Sequence, residues 1–301
     1  MTTTALPLAE TLDSTPDLRS RGDLWAIVLA GGEGLRRRAS RSLLRQTLER
    51  VALLVPPDRT VVVTQANHDR SLGAALAGRP AMHVLTQPLD RGTAASVLLP
   101  AHWIRARDPH AMVAVFPADH VILEESVFLG QVAEVVHYVR EHPDWLVLLG
   151  APPTDPDPDY GWIEPGPRLG WAGGGAVHQV QAFREKPSRE SAYRLFSLGG
   201  LWNTFSFIAG VAALIEAGRA CVPLLHDRLV RLAVFAGTQF EAWAVRQAYL
   251  FAPAADFSRS VLASTLPRLA VARLPPCTWY DFGVPERVTR ARAGREYGRL
   301  E

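Results

Sequence analysis

The chain has 301 residues, 48% of them hydrophobic and 21% charged, with a formal net charge of +2. That is enough apolar material for one large core, and too little net charge to argue for nucleic acid or a membrane surface as partner. Two widely separated cysteines, Cys221 and Cys277, give neither a metal-ligand spacing nor a disulfide framework, so a reducing cytoplasm is the expected setting. No stretch reaches the roughly 18–20 continuous apolar residues of a membrane span. Residues 1–22 are polar, lack the layout of a signal peptide, and read as a loosely held arm.

The first strong signal is Leu24 to Arg36. An apolar run through Ile27, Val28 and Leu29 breaks into Gly31-Gly32-Glu33-Gly34 and ends in Arg36, Arg37 and Arg38. A buried strand opening into glycines suits phosphate binding, because residues without Cβ atoms let backbone N–H groups converge on one anion. A tight strand-to-helix turn without a ligand is the plainer alternative. The spacing of Leu43, Leu44, Leu48, Val51 and Leu54 predicts a helix over 42–55, stopped by Pro56-Pro57. A strand follows at 60–64, a helix at 68–77, a strand at 82–85, a loop at 87–93 and a helix at 94–106. Residues 111–116 read as the fourth strand, closed by Pro117-Ala118-Asp119-His120; an amphipathic helix at 126–141 and a strand at 145–149 come next. Strands alternating with helices predict an α/β fold with a mostly parallel central sheet covered on both faces. Ligands of such sheets bind beyond the carboxyl ends of the strands, which puts the glycine loop and Asp119 on one edge.

Beyond Gly150 the character changes. Residues 152–159 are rich in turn formers. Residues 160–164 and 177–183 read as antiparallel strands around the tract Gly173-Gly174-Gly175, and 188–198 as a short helix. A strand at 202–208, a mostly helical stretch to about 252 and a late strand at 269–274 complete the pattern. One domain over 23–301 is expected, in two halves, 23–150 and a smaller β/α lobe at 151–301.

Seven segments, in order, resemble the nucleotide-sugar pyrophosphorylases, the sugar-1-phosphate nucleotidyltransferases, and most closely those that act as mannose-1-phosphate guanylyltransferases. They are Gly31–Arg36, Arg91-Gly92-Thr93-Ala94, Phe116–His120, Tyr160–Glu164, Glu185-Lys186-Pro187, Trp202-Asn203 and Trp279–Gly283. The resemblance implies a Rossmann-like (GT-A-like) nucleotidyltransferase fold, with 23–150 as the nucleotide-binding half and 151–301 as the sugar-phosphate-binding half. The implied activity is Mg²⁺-assisted attack of a sugar 1-phosphate on a nucleoside triphosphate, giving a nucleotide sugar and pyrophosphate. GTP and mannose 1-phosphate are the implied substrates; a thymidylyl-, uridylyl- or adenylyltransferase, or a catalytically weak regulatory relative, stays open. So does a homodimer.

The same resemblance assigns roles. Gly31, Gly32, Glu33, Gly34, Arg36, Gln87, Arg91, Gly92 and Thr93 fall where the family binds nucleotide. Gly161, Glu185, Lys186 and Asn203 fall where it binds the sugar phosphate. Asp119 and Asp281 are the implied magnesium ligands, with Arg36, Asp119 and Lys186 as catalytic residues. Lys186 is the only lysine in the chain, which sharpens its assignment. His120 reads as a supporting residue, since an ionised phosphate needs no general base. Gln87-Pro88 and Gly92 look more like a thymidylyltransferase than a guanylyltransferase. The family's long loop after the glycine signature, ending in Pro-Lys, is missing between Arg36 and Leu44, by true deletion or because a mobile segment is absent from the sequence as read.

Overall fold

The computed structural model describes residues 22–31, 38–66, 69–79 and 82–282. The N-terminal arm before Gly22, and Gly32, Glu33, Gly34 and Arg36 of the glycine loop, lie outside the described residues.

A nine-stranded sheet forms the centre. Its strands in chain order are β1 (Leu24–Ala30), β2 (Thr60–Gln65), β3 (His83–Gln87), β4 (Met112–Pro117), β6 (Leu146–Ala151), β7 (Gly161–Ala172), β8 (Gly175–Glu185), β9 (Leu201–Gly210) and β10 (Leu269–Arg273). They lie in the order β3-β2-β1-β4-β9-β6-β10-β8-β7. Two short strands, β5 (His120–Ile122) and β11 (Trp279–Asp281), pair separately. The helices are α1 (Arg38–Val51), α2 (Asp69–Leu76), α3 (Gly92–Arg105), α4 (Glu125–Glu141), α5 (Arg189–Ser197), α6 (Val211–Cys221), α7 (Pro223–Leu229) and α8 (Glu241–Phe251).

Alternation along β1 shows why both faces are covered. Leu24, Ala26 and Val28 belong to one buried cluster, with Leu44 and Leu48 of α1 and Phe128 and Val132 of α4. Trp25 and Ile27 belong to the other, with Leu98 of α3, Leu214 of α6 and Tyr249 of α8. Each large aliphatic side chain buried this way contributes about 1.5–3 kcal/mol. Among the described residues no helix is long and apolar enough to cross a membrane.

The sheet is more mixed than the pattern of alternating strands and helices predicts. β1 to β4 are parallel, but β9 runs antiparallel between β4 and β6, and β8 and β7 form an antiparallel hairpin at one edge. The hairpin turn is possible because Gly173 adopts φ +59°, conformational space that glycine enters without strain. A boundary at residue 150 does not divide the sheet, since β9 lies inside the sheet begun by the first half. The helix expected to reach 55 ends at Val51, where Leu53 N and Leu54 N bond to carbonyls three residues back and tighten the turn before the prolines.

The second face buries two histidines against each other. His102 on α3 and His226 on α7 meet with ring centroids 5.0 Å apart and planes tilted by 52°. Burial, then His226 and Arg105, lowers the pKa of His102 to about 3. The folded chain therefore refuses a proton that the unfolded chain accepts near pH 6.5, so stability is lost as pH falls below that value. The melting temperature of His102→Leu relative to wild type is expected to climb steadily from pH 7 to pH 4.5; a pH-independent difference would contradict this assignment.

Candidate active site

The strand ends decide the chemistry. Ala118 N donates to Leu29 O at 3.1 Å just beyond the Leu29–Pro117 pairing, so Gly31 after β1 and Asp119 after β4 emerge side by side. The chain then turns into β5, which pairs antiparallel with β11 so that His120 faces Asp281. Glu124 fastens the start of β11: its carboxylate accepts from the backbone N–H of Thr278 at 2.5 Å and from the Thr278 hydroxyl at 3.1 Å. Phe282 N closes the other end on Asp119 O at 3.0 Å.

As a result Asp119, His120 and Asp281 each offer a ligand atom, all within 4.8 Å of one another. His120 is a support within this group. The indole N–H of Trp279 can only donate, and it reaches His120 Nδ1 at 3.3 Å. The neutral ring therefore carries its proton on Nε2, which faces Asp119 Oδ1 at 3.9 Å. Burial first, and then the adjacent charge of Asp281, push the Asp119 carboxyl up to about 7. Two carboxylates held this close form a hard-oxygen site that suits magnesium, because a divalent cation removes the repulsion between them.

A second group gathers where β7, β8 and β9 meet. Gly161 pairs with Glu185, and Trp162 with Trp202, next to Asn203. A Cβ on Gly161 would lie 2.6 Å from Glu185 Oε2 and 3.3 Å from Asn203 Cβ, so a side chain there would displace the Glu185 carboxylate. Asn203 Oδ1 accepts from Phe205 N at 3.0 Å, which fixes the orientation of its side-chain amide. Glu185 is half-buried; burial and Asp256 raise its pKa, while Lys186 and a hydrogen bond from Ser258 oppose them. Lys186 is exposed and follows directly. Among the described residues the non-glycine positions with left-handed backbones are Lys186 (φ 49°) and Phe205 (φ 56°), and both flank this group. Such strain costs on the order of 1–3 kcal/mol and persists where a site demands it.

The nucleotide side differs from expectation at two residues. Gln87 is the last residue of β3, 2% exposed, and its Oε1 accepts from Tyr249 OH at 3.0 Å and Ser96 Oγ at 3.2 Å. Its Nε2 reaches Ser96 Oγ at 3.1 Å, leaving one amide N–H and no acceptor for a base. Arg91 does not face the strand ends. Its guanidinium bonds to the carbonyls of Tyr249 at 2.9 Å and Leu250 at 3.3 Å, because the last carbonyls of α8 lack helical partners and favour a cation. Gly92 (φ +76°) and exposed Thr93 instead dock onto residues 252–259. That segment, with Asp256 and Ser258, was not singled out from sequence; the run Asp256-Phe257-Ser258 carries no periodic signal. α1 begins at Arg38, four residues past Gly34, so the chain has no room for the longer family loop and its Pro-Lys. A cavity of about 830 Å³ near Gln131, Gly174 and Pro275 includes none of these residues.

Comparison with known proteins agrees with this arrangement. The sequence profile described as Nucleotidyl transferase matches residues 37–292. A mannose-1-phosphate guanylyltransferase of Sinorhizobium fredii is 31% identical over 203 residues, covering 64% of this chain and 38% of the relative. The alginate biosynthesis protein AlgA of Pseudomonas fluorescens is 30% identical over 192 residues, covering 63% and 39%. The chain thus spans about two fifths of the length of these curated relatives. A crystal structure described as mannose-1-phosphate geranyltransferase from Thermus thermophilus superimposes with TM-score 0.71 at 28% identity, covering 87% of this chain and 76% of that one.

The raised Asp119 pKa has a thermodynamic sign. Between the ordinary carboxyl value near 4 and about 7 the unfolded chain releases a proton that the folded chain keeps, so this group's contribution to stability fades as pH rises through that window. In chelator, the melting temperature of Asp119→Asn minus that of wild type is expected to grow from pH 5 to pH 8, and millimolar Mg²⁺ at pH 8 to close the gap. A constant gap that Mg²⁺ leaves unchanged would refute the shared carboxylate site.

Proposed function

We propose that this protein, which belongs to the nucleotidyl transferase family, transfers a nucleotidyl group from a triphosphate, GTP in the favoured reading, to a sugar 1-phosphate, mannose 1-phosphate in the favoured reading. The carrying observation is the convergence of the Asp119 and Asp281 carboxylates beside the start of the glycine loop. A phosphate oxygen of the sugar 1-phosphate attacks the α-phosphorus; the new P–O bond forms as the bond to the β-phosphate breaks and pyrophosphate leaves. The nucleophile is already ionised, so no residue need act as a base.

Asp119 and Asp281 would hold magnesium, whose charge screens the meeting polyanions. Gly31 and the glycines after it offer backbone N–H groups to the triphosphate. Glu185 accepts from sugar hydroxyls, the Asn203 amide donates to them, and Gly161 lets the ring approach the backbone. Lys186 opposes the sugar phosphate charge. The one amide N–H left on Gln87 can meet a base acceptor. Guanine O6 and thymine O4 both qualify, so this contact does not choose between them.

The missing Pro-Lys loop favours one second reading, a relative that binds nucleotide sugars and turns over weakly. Pyrophosphate release across a matrix of triphosphates and sugar 1-phosphates separates the two. GTP with mannose 1-phosphate is expected to give the highest kcat/KM. Asp119→Ala or Asp281→Ala should lower kcat by roughly 10²-fold or more, and Lys186→Ala should raise the KM for the sugar phosphate by about tenfold. Absence of turnover with every pair would select the binding reading.

A further inference from the structure

We propose that Asp256 is a positioning residue that couples the nucleotide side of the site to the sugar side. The inference rests on the transferase reading above and extends it to how the two substrates sense each other.

The segment 252–259 touches both sides. Towards the nucleotide loop, Ala255 exchanges two backbone bonds, donating to Arg91 O at 3.1 Å and accepting from Ala94 N at 3.0 Å. Gly92 sits under this pairing, where a Cβ would lie 2.3 Å from Ala255 O. Asp256 Oδ2 accepts from the Thr93 hydroxyl at 3.3 Å, and that hydroxyl in turn accepts from Phe257 N at 2.8 Å. Asp256 Oδ1 accepts from Arg259 N at 2.8 Å, which fixes the carboxylate at the entry to a π-helical turn, Ser258–Leu262. Such turns are a recurrent feature of functional sites.

Towards the sugar side, the same turn carries buried Ser258, whose side chain opposes the rise in the Glu185 pKa. Phe257 stacks on Phe207 at 5.4 Å between centroids and meets Phe205 edge-on at 5.8 Å. Phe205 is the strained residue whose N–H orients Asn203. The charge of Asp256 also adds to burial in raising the Glu185 pKa. A shift of Thr93 on nucleotide binding therefore reaches Glu185 and Asn203 through the turn that begins at Asp256. Thr93 and Asp256 are both exposed, so the contact between them contributes little to the core.

Calorimetric titration of the full chain with mannose 1-phosphate, with and without the non-transferable analogue α,β-methylene-GTP and Mg²⁺, measures the coupling. In wild type each ligand is expected to tighten the other by about fivefold or more, and by the same factor in both directions. In Asp256→Ala the factor should fall to about one. Each ligand alone should bind within about threefold of wild type, and melting temperatures should stay close to wild type. Asp256→Asn, which keeps one acceptor oxygen and turns the other into an amide donor, should retain part of the coupling. Full coupling in Asp256→Ala would overturn the proposal, as would joint loss of both affinities with a large drop in melting temperature. Binding of both ligands to wild type without any coupling overturns the proposal alone. Failure of wild type to bind either ligand overturns the choice of substrates beneath it.

Discussion

Repulsion between two carboxylates organises this molecule. Asp119 and Asp281 come from the end of a central strand and from a short strand near the far end of the described chain, and the β5–β11 pairing holds them together. The pairing itself is made by Trp279, Glu124 and backbone bonds, none of which needs a ligand. The fold therefore supplies the attraction that keeps two like charges in contact, and burial first, with the Asp281 charge second, raises the Asp119 pKa to about 7. A polyanionic substrate pair could not approach such a site without a cation between them, which is why the geometry and the proposed reaction belong together.

The sugar side is built on a different principle. Its side chains are placed by backbone strain and lack of space: left-handed Lys186 and Phe205 bracket Asn203 and Glu185, and Gly161 is compressed against both. Arg91 is tied instead to the end of α8, where its guanidinium donates to the carbonyls of Tyr249 and Leu250.

Much of this was legible in one dimension. Periodicity located most strands and helices to within a few residues, though β7 runs eight residues past the expected Glu164 and the short β5 and β11 were not read as strands. Strand direction was not legible. β9 is buried almost throughout, and a continuous apolar run looks the same whether it lies parallel or antiparallel to its neighbours. The fate of Gln87 and Arg91 was not legible either, because their partners, Tyr249 and Leu250, lie far along the chain.

The sequence by itself determined the α/β class, the family resemblance and the residue types available for catalysis, because glycine spacing, apolar period and the scarcity of lysine are properties of the chain in order. The tertiary structure alone decided which carboxylates meet, which polar side chains are already committed, and that Asp256 stands between the two sides of the site. Those are consequences of strand pairing and helix docking between distant segments, where the energy of a contact depends on packing that no local pattern encodes.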